Sequence, residues 1–350
     1  MPRPGVIHVR SNLFPSAREH TLGSAGGLAV AGIWAGDFYG PSTLTFDDTG
    51  LLTAITPMDD CGTCVTVMPG LVDRHVHLGL VPYRELAESS VTEVYDLGWD
   101  PAALERIEVP EVVVHPGGRF HTAPGGYPCG RSWVPNPAIR LVRSAEDAHQ
   151  AVAEAVTAGA ELIKIALHAG MPLLDDGTLR ALVDAAHGVK LPAVVHAEGV
   201  GQVARAVAAG ADALAHTPWT ECVSDRILKW GASMTWCSTL TIHSGAKRAI
   251  AINNAARHHA IGGRVLYGTD LGNGPLPIGA NHEEILALGE VGLEGEDLIT
   301  SLVGSVRLPV PANRLLVSPS PLPSTAAEVV DWLARSRRLN EATHIVKKGI

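Results

Sequence analysis

From Val67 onward, short apolar segments alternate with amphipathic ones, and this alternation restricts the fold more than any other feature of the chain. The segments that suit buried strands are GLVDRHVHL, VTEVYDLG, EVVVHPGG, ELIKIAL, PAVVHAE, ADALAH, SMTWCSTL and RVLYGTD. The phrase AVTAGAELIKIA is echoed by AVAAGADALAH, in which a helix again ends before a strand begins. The pattern therefore indicates a repeated strand–helix unit.

Eight strands alternating with helices predict an α/β fold, a (β/α)8 TIM-like barrel over residues 66–308. The alternative, a doubly wound sheet, would usually have a glycine-rich phosphate loop after its first strand, where this chain has histidines. Residues 1–65 contain short strands and a hairpin turn, DDTG. Residues 309–350 add the helix TAAEVVDWLARSRR and a last strand in THIVKKGI. We expect the two chain ends to form one small β-rich domain.

The clearest predicted helix lies in SAEDAHQAVAEAVTAGA. Ser144 is placed to cap its first turn, and Gly159 is placed to end it. Its predicted apolar face consists of Ala148, Ala151, Val152, Ala155 and Val156. A later helical segment carries His258 and His259, which we expect on its solvent-facing side.

Composition narrows the class of protein. The 350 residues are 46% hydrophobic and carry a net charge of −9 with no basic run, so we expect no nucleic-acid partner. The N-terminus lacks the apolar core of a signal peptide, and no segment reaches the roughly 20 apolar residues of a membrane span. Five cysteines argue against a disulfide framework. We predict a cytoplasmic protein without membrane contact, in which Cys61 and Cys64 of CGTC are ordinary loop cysteines.

Two histidines, His75 and His77, lie one residue apart in the first predicted strand. On a strand, residues i and i+2 point to the same side, whereas on a helix they point about 200° apart. The pair can therefore act as a two-pronged metal ligand only on a strand, whose end would lie at the C-terminal mouth of a barrel. For the pair alone, partly buried histidines bonded to the backbone are the commoner arrangement.

Four more polar side chains lie in or at the end of other predicted strands: Lys164, His196, His216 and Asp270. Each has an ordinary alternative, such as a lysine that reaches water, a bonded core histidine or an aspartate that caps a helix. In a barrel they would meet at one mouth, where each unpaired group would cost roughly a few kcal/mol. A pair of divalent metal ions would satisfy all of them, so we interpret their convergence as a metal centre.

The motif PGLVDRHVH, followed by these four residues, resembles the amidohydrolase superfamily of metal-dependent hydrolases. The flanking β segments resemble the split small domain of that family. Phrases such as TAPGGYP and ELIKI are most similar to its imidazolonepropionase-like and dipeptidase-like branch. Glu198, in HAEG, differs from the residues usual at this place in the family and indicates an unusual pocket.

The resemblance implies two divalent metal ions, most simply zinc, with manganese as another candidate. It also implies that the strand-four lysine is carbamylated. Burial lowers the pKa of a lysine, and its neutral amine can react with carbon dioxide. The ligands that the resemblance implies are His75, His77 and Asp270 for one ion, His196 and His216 for the other, and Lys164 for both.

The expected activity is hydrolysis of an amide-type C–N bond in a cyclic amide, an N-acyl compound or a dipeptide-like small molecule. Asp270 is the expected catalytic residue, taking a proton from the attacking water and returning it to the leaving nitrogen. Lactone or ester hydrolysis and deamination are alternatives, although Lys164 argues against deamination because deaminases of the family usually lack it. Without catalysis, the chain would be a barrel scaffold, but all six ligand positions are filled. The family also contains many homo-oligomers.

The substrate pocket is expected in the loops after the strands, of which the longest is GGRFHTAPGGYPCGRSW. Its polar side chains suit a polar or anionic substrate group, or equally face water around a turn at Gly125 and Gly126. Nucleophilic serine catalysis is not indicated, because no Gly-x-Ser-x-Gly occurs. The candidate substrate contacts are His121, Tyr127, Arg131, His168 and His243.

Overall fold

The computed structural model describes residues 27–61, 65–304 and 306–339 with their side chains, and residues 6–9, 20–23 and 345–346 as backbone. Cys64 and most of the predicted last strand lie outside the described residues. The chain divides into two compact units. Unit 1 comprises Met1–Leu71, Glu88–Thr92 and Glu294–Ile350, and unit 2 comprises Val72–Ala87 and Glu93–Leu293.

The strands are short, and most have between two and six residues. In chain order they are β1 Val6–Val9, β2 His20–Gly23, β3 Gly27–Val30, β4 Gly32–Trp34, β5 Phe38–Tyr39, β6 Ser42–Phe46, β7 Leu51–Pro57, β8 Thr66–Pro69, β9 Leu71–Val76, β10 Val91–Asp96, β11 Val113–Pro116, β12 Phe120–Thr122, β13 Ile139–Leu141, β14 Ile163–His168, β15 Ala193–Glu198, β16 Ala213–Leu214, β17 Thr235–Cys237, β18 Val265–Leu266, β19 Val310–Pro311, β20 Leu315–Ser318, β21 Arg337–Arg338 and β22 Ile345–Val346.

The α-helices lie mainly in unit 2. In chain order they are α1 Pro101–Leu104, α2 Ala145–Thr157, α3 Asp176–Gly188, α4 Gln202–Ala209, α5 Asp225–Trp230, α6 Gly245–Ala260, α7 His282–Val291, α8 Gly295–Val303 and α9 Ala326–Ala334. Among the described residues, none of these helices has the length and apolar character needed to cross a bilayer.

Unit 1 contains two sheets. One has the strand order β19-β7-β6-β3-β2-β1-β22 and the other the order β21-β20-β8-β4-β5. The predicted hairpin is confirmed between β6 and β7, where Oδ1 of Asp47 accepts hydrogen bonds from the backbone N–H groups of Thr49 (3.0 Å) and Leu51 (2.9 Å). Buried Leu28, Val30 and other apolar side chains of these strands form the core of the unit.

Unit 2 carries a parallel sheet with the order β13-β12-β14-β15-β16-β17-β18 and a second sheet with the order β11-β10-β9. Backbone hydrogen bonds join both edges of the three-stranded sheet to segments next to β18 and β14 of the larger sheet. On one side the N–H of His77 donates to the Leu271 carbonyl (2.8 Å), and on the other the N–H of Glu161 donates to the Pro116 carbonyl (2.8 Å). The predicted α/β class is therefore confirmed for this unit.

Helix α2 shows how closely local sequence rules apply. The Ser144 side chain accepts a hydrogen bond from the Asp147 backbone N–H (3.2 Å), so the predicted cap is confirmed. The predicted face is buried except at Val156, which is 46% exposed. Val156 follows Val152 by four residues, but at the last turn of the helix this position already faces outward.

The loop predicted after the third strand contains two further strands, β12 and β13, which pair with each other in parallel. Strand β12 also pairs with β14 through His121 and Ile165. Consequently His121 lies within a buried strand instead of on a surface loop. No sequence pattern predicts β12, because three residues between glycine-rich segments carry no periodicity.

Candidate metal centre

His75 and His77 lie on and just beyond the end of β9, so both side chains project from the same side of the strand. A buried carboxylate holds this strand end in place. Oδ1 of Asp73 accepts hydrogen bonds from the backbone N–H groups of His75 (3.1 Å) and Thr269 (2.9 Å), and Oδ2 accepts one from the Thr269 hydroxyl (2.6 Å). Asp73 therefore ties the first strand of unit 2 to the segment that carries Asp270.

The hydrogen bonds of the two rings decide which nitrogen faces the centre. Nδ1 of His75 lies 2.7 Å from the Ala215 carbonyl oxygen, and Nδ1 of His77 lies 3.2 Å from that of Gly98. A carbonyl only accepts, so each Nδ1 carries a proton and the Nε2 of a neutral ring keeps its lone pair. Both Nε2 atoms face Oδ1 of Asp270, at 3.1 and 3.3 Å.

This contact between lone pairs and a carboxylate is repulsive unless a positive charge lies among them. Burial lowers the pKa of His75 well below its ordinary value, so that ring is neutral near pH 7. A metal cation would supply the missing positive charge.

Asp270 follows β18 in a left-handed backbone conformation, with φ of 59°. Few residues other than glycine and asparagine or aspartate adopt it. The conformation turns the carboxylate inward, where it is almost fully buried. Its second oxygen, Oδ2, accepts a hydrogen bond from the Asn273 side-chain amide (2.8 Å).

Lys164, on β14, is 1% exposed. Its Nζ has no hydrogen-bond partner among the described residues. Burial lowers the pKa of this amine from 10.5 to about 8, and nearby Asp270 only partly opposes the change. A buried amine without partners is costly as a cation, so Lys164 is suited to lose its proton or to be modified.

His196 and His216 complete the cluster from the ends of β15 and β16. The His216 ring centre lies 4.5 Å from that of His75 and 4.9 Å from that of His196. Burial lowers the pKa of His216 well below its ordinary value and also lowers that of His196. Ligand atoms of His75, His216 and Asp270 all lie within 4.8 Å of one another, close enough to belong to the same metal centre. The structure thus brings all six predicted ligands to one place.

The cluster lines the floor of a cavity of about 450 Å³. Its walls are rich in aromatic side chains. Trp219 stacks on His243, with ring centres 4.6 Å apart, and Tyr127 stacks on His196 at 4.9 Å. The other residues around the cavity include Leu80, Phe120, Trp133, Glu198, Ile242, Lys247, Gly272, Asn273 and Gly274.

The candidate substrate contacts lie in different places. Tyr127 and His243 line the cavity. Arg131 is exposed, with its guanidinium carbon 5.8 Å from the Tyr127 ring centre. His168 stacks on Tyr127, and its Nε2 lies 3.4 Å from Oε1 of Glu198. His121 does not line this cavity; its Nδ1 lies 3.0 Å from the Lys164 carbonyl oxygen, so it supports the strand that carries the lysine.

Sequence reasoning missed most of the cavity wall. Trp219, Lys247 and Asn273 follow predicted ligands or strand ends by three to seven residues, and nothing in the spacing of Lys247 or Asn273 marks them. For Trp219 one signal was present, since it lies three residues after His216 at a predicted strand end. Trp133 and Phe120 come from the segment around β12, which was not predicted.

No family model matches this chain, and no curated protein matches it. Solved structures do. A Xaa-Pro dipeptidase superposes with a TM-score of 0.68 at 16% identity, covering 88% of this chain and 96% of its own. Molinate hydrolase gives 0.67 at 14% identity, covering 92% and 95%, and the A. niger ochratoxinase gives 0.65 at 15%, covering 84% and 89%. The chain has the fold of these enzymes.

Proposed function

We propose that this protein is a member of the amidohydrolase superfamily and hydrolyses an amide-type C–N bond at a metal centre. One observation carries the proposal: the amine of Lys164 is buried, without a hydrogen-bond partner in the described part of the chain, beside histidine lone pairs that face the Asp270 carboxylate. The burial of these groups together destabilises the folded protein when no cation is present. Around bound cations the same groups become stabilising ligands. The fold shared with three hydrolases supports this reading.

We also propose that the two sheets of unit 2 close into a (β/α)8 barrel. The hydrogen bonds that join the three-stranded sheet to the segments next to β18 and β14, from His77 to Leu271 and from Glu161 to Pro116, support closure. In such a barrel the centre lies at the carboxyl ends of the strands, where TIM-barrel enzymes carry their active sites. The proposed boundaries of the barrel are residues 66–308, with residues 1–65 and 309–350 in the small domain.

The proposed centre holds two divalent ions. His75, His77 and Asp270 would hold one, His196 and His216 the other, and a carbamate on Lys164 would contact both. When bound, such ions lower the pKa of water and polarise a carbonyl group. The donor set of imidazoles and carboxylates fits zinc, and it also fits manganese.

Asp270 is the proposed proton carrier. Its carboxylate takes a proton from the attacking water and delivers it to the nitrogen that leaves. Because Asn273 donates to Oδ2, it fixes the rotation of this carboxylate and keeps Oδ1 directed toward the histidines.

The proposed substrate is a small amide with an apolar or aromatic part. A cavity of about 450 Å³ accepts a dipeptide-sized molecule, and the rings of Tyr127, Trp133 and Trp219 give that part flat surfaces. Lys247, exposed at the cavity wall, is placed to meet an anionic end of the substrate. Dipeptidase, ochratoxinase and molinate hydrolase share this fold, which supports testing amides of several kinds.

The test combines metal analysis with a substrate screen. Purified protein is expected to contain close to two equivalents of metal, and to hydrolyse some members of a panel of dipeptides, N-acyl amino acids, cyclic amides and lactones. Activity should vanish on chelation and return with zinc or manganese. Protein that binds no stoichiometric metal under these conditions would contradict the proposal. If the protein hydrolysed only lactones, the proposed metal centre would stand and the proposed amide substrate would be wrong.

A further inference from the structure

Glu198 lies at the end of β15, two residues after His196 and on the same side of the strand. Its carboxylate contacts two histidines. Oε2 lies 3.2 Å from Nε2 of His196, and Oε1 lies 3.4 Å from Nε2 of His168. The Glu198 side chain is 26% exposed and lines the cavity, so the contacts are only partly screened by water.

The hydrogen bond from Gly170 to His168 decides which atoms donate and which accept between His168, Glu198 and His196. The backbone N–H of Gly170 donates to Nδ1 of His168 (3.0 Å), so the proton of the neutral His168 ring is on Nε2 and points to Glu198. An ionised carboxylate only accepts, and Oε2 remains available for His196. The hydrogen bond therefore requires a proton on Nε2 of His196 and leaves the lone pair on Nδ1.

This arrangement is the reverse of that at His75 and His77, whose Nδ1 atoms donate to carbonyl groups and whose Nε2 atoms face Asp270. Stacking keeps the arrangement rigid, because the Tyr127 ring lies against both His196 and His168, with ring centres 4.9 and 5.5 Å away.

We propose that Glu198 is a positioning residue that holds His196 with Nε2 protonated, so that Nδ1 is the nitrogen that binds the metal ion, and that His168 orients Glu198. This inference rests on the proposed function, since it assigns a role toward the same metal centre. A carboxylate bonded to the far nitrogen of a metal-bound histidine raises the basicity of the ring and fixes its rotation. Removing such a carboxylate typically weakens metal binding by about 10–100-fold.

The first experiment determines the tautomer of His196 by ¹⁵N NMR of histidine-labelled, metal-free protein at pH 8, with His196→Asn used to assign the signal. In the wild type we expect a protonated Nε2 at His196 and a protonated Nδ1 at His75. In Glu198→Ala we expect His196 to lose this preference, whereas Glu198→Gln retains one acceptor oxygen and should largely keep it. A wild-type His196 protonated on Nδ1, or a preference unchanged in Glu198→Ala, would overturn the proposal.

The second experiment measures zinc affinity by competition with a chromogenic chelator. Glu198→Ala should bind one of its two zinc equivalents about 10–100-fold more weakly, and His168→Ala should show a smaller loss in the same direction. The matched control is Glu154→Ala, which removes a carboxylate of similar exposure (35%) that pairs with Arg140 outside the cavity. Equal zinc affinity in Glu198→Ala and the control would overturn the role.

The two proposals can fail separately. Wild-type protein that takes up no zinc would contradict the proposed function, and the tautomer of His196 would still be measured in the same metal-free sample. Conversely, the wild type could bind two zinc ions and Glu198→Ala could keep full zinc affinity. The proposed function would then stand, and the proposed role of Glu198 would be wrong. Thermal unfolding of each variant identifies any that fail to fold, in which case Glu198→Gln and His168→Ala decide the question.

Discussion

Asp270 combines an unfavourable backbone conformation and a buried charge with the proposed catalytic role. Its positive φ, its burial and its contacts with two histidine lone pairs are each unfavourable for a free aspartate. Unfavourable features of this kind persist where a ligand or a reaction offsets them. The backbone bond from the His77 N–H to the Leu271 carbonyl, one residue beyond, holds the conformation in place.

Substituting Asp270→Asn should therefore separate metal binding from turnover. The amide keeps one oxygen toward the histidines but cannot carry a proton, so we expect kcat to fall by at least about 10²–10⁴-fold while most of the metal stays bound. The measurements are kcat on the substrate found in the screen and metal content by mass spectrometry. The control is Asp176→Asn, whose parent carboxylate is 84% exposed and pairs with Arg205. Near wild-type turnover in Asp270→Asn would show that Asp270 is not the proton carrier.

Lys164 gives a prediction about pH in the absence of metal and bicarbonate. The unfolded chain has the ordinary pKa of 10.5 and the folded protein about 8, so below pH 8 folding places a charged amine in the core. The corresponding cost is about 3 kcal/mol, and it disappears as pH rises from 8 to 10.5. Lys164→Met should then unfold at higher denaturant concentration than wild type at pH 7, with the difference shrinking toward pH 10. A wild type that is the more stable at pH 7 would contradict this.

At the scale of elements, helix α6 shows where a periodic pattern was misread. We expected His258 on the solvent side of a helix, and this prediction was wrong, because His258 is 0% exposed. It shares a buried face with Ala251, Asn254 and Ala255, and its ring stacks on Trp236 at 4.0 Å. The sequence pattern does not show this face, because His258 counts as a polar residue when the apolar face of a helix is assigned.

The burial of His258 predicts acid sensitivity. Burial lowers the pKa of the ring to about 4, compared with 6.5 in the unfolded chain, so its contribution to stability is complete above pH 6.5 and is lost as pH falls toward 4. The maximum loss is about 3 kcal/mol. His258→Gln should lose less stability than wild type between pH 7 and pH 4.5 in urea denaturation. The neighbouring half-buried His259→Gln is the control, and equal pH dependence of all three proteins would refute the assignment.

Element prediction from sequence succeeded where a local rule acts and failed where packing decides. The Ser144 cap and the DDTG hairpin follow from short-range hydrogen bonds that any fold would retain. Strand β12 is held only by its neighbours β13 and β14, so its three residues carry no signal of their own. The same distinction applies to the site: strand ends mark the ligands, while Trp219 and Lys247 reach the cavity through loop and helix geometry.

For the whole molecule, the structure concentrates all six proposed ligands in unit 2 and none in unit 1 among the described residues. A ligand that binds only the folded state stabilises it by mass action, by about 2.7 kcal/mol at a hundredfold excess over Kd. Because the ligands lie on or just after β9, β14, β15, β16 and β18, a bound metal ion would resist separation of these strands in particular.

Hydrogen exchange with mass spectrometry should show this asymmetry. Adding zinc to chelator-treated protein should slow exchange in peptides that cover β14 and β15, while peptides that cover the β6–β7 hairpin of unit 1 keep their rate. His75→Asn combined with His77→Asn should remove most of the added protection, because the rings that face Asp270 are gone. Zinc protection of equal size in both units would indicate adventitious binding, since no specific contact would explain an effect on the hairpin.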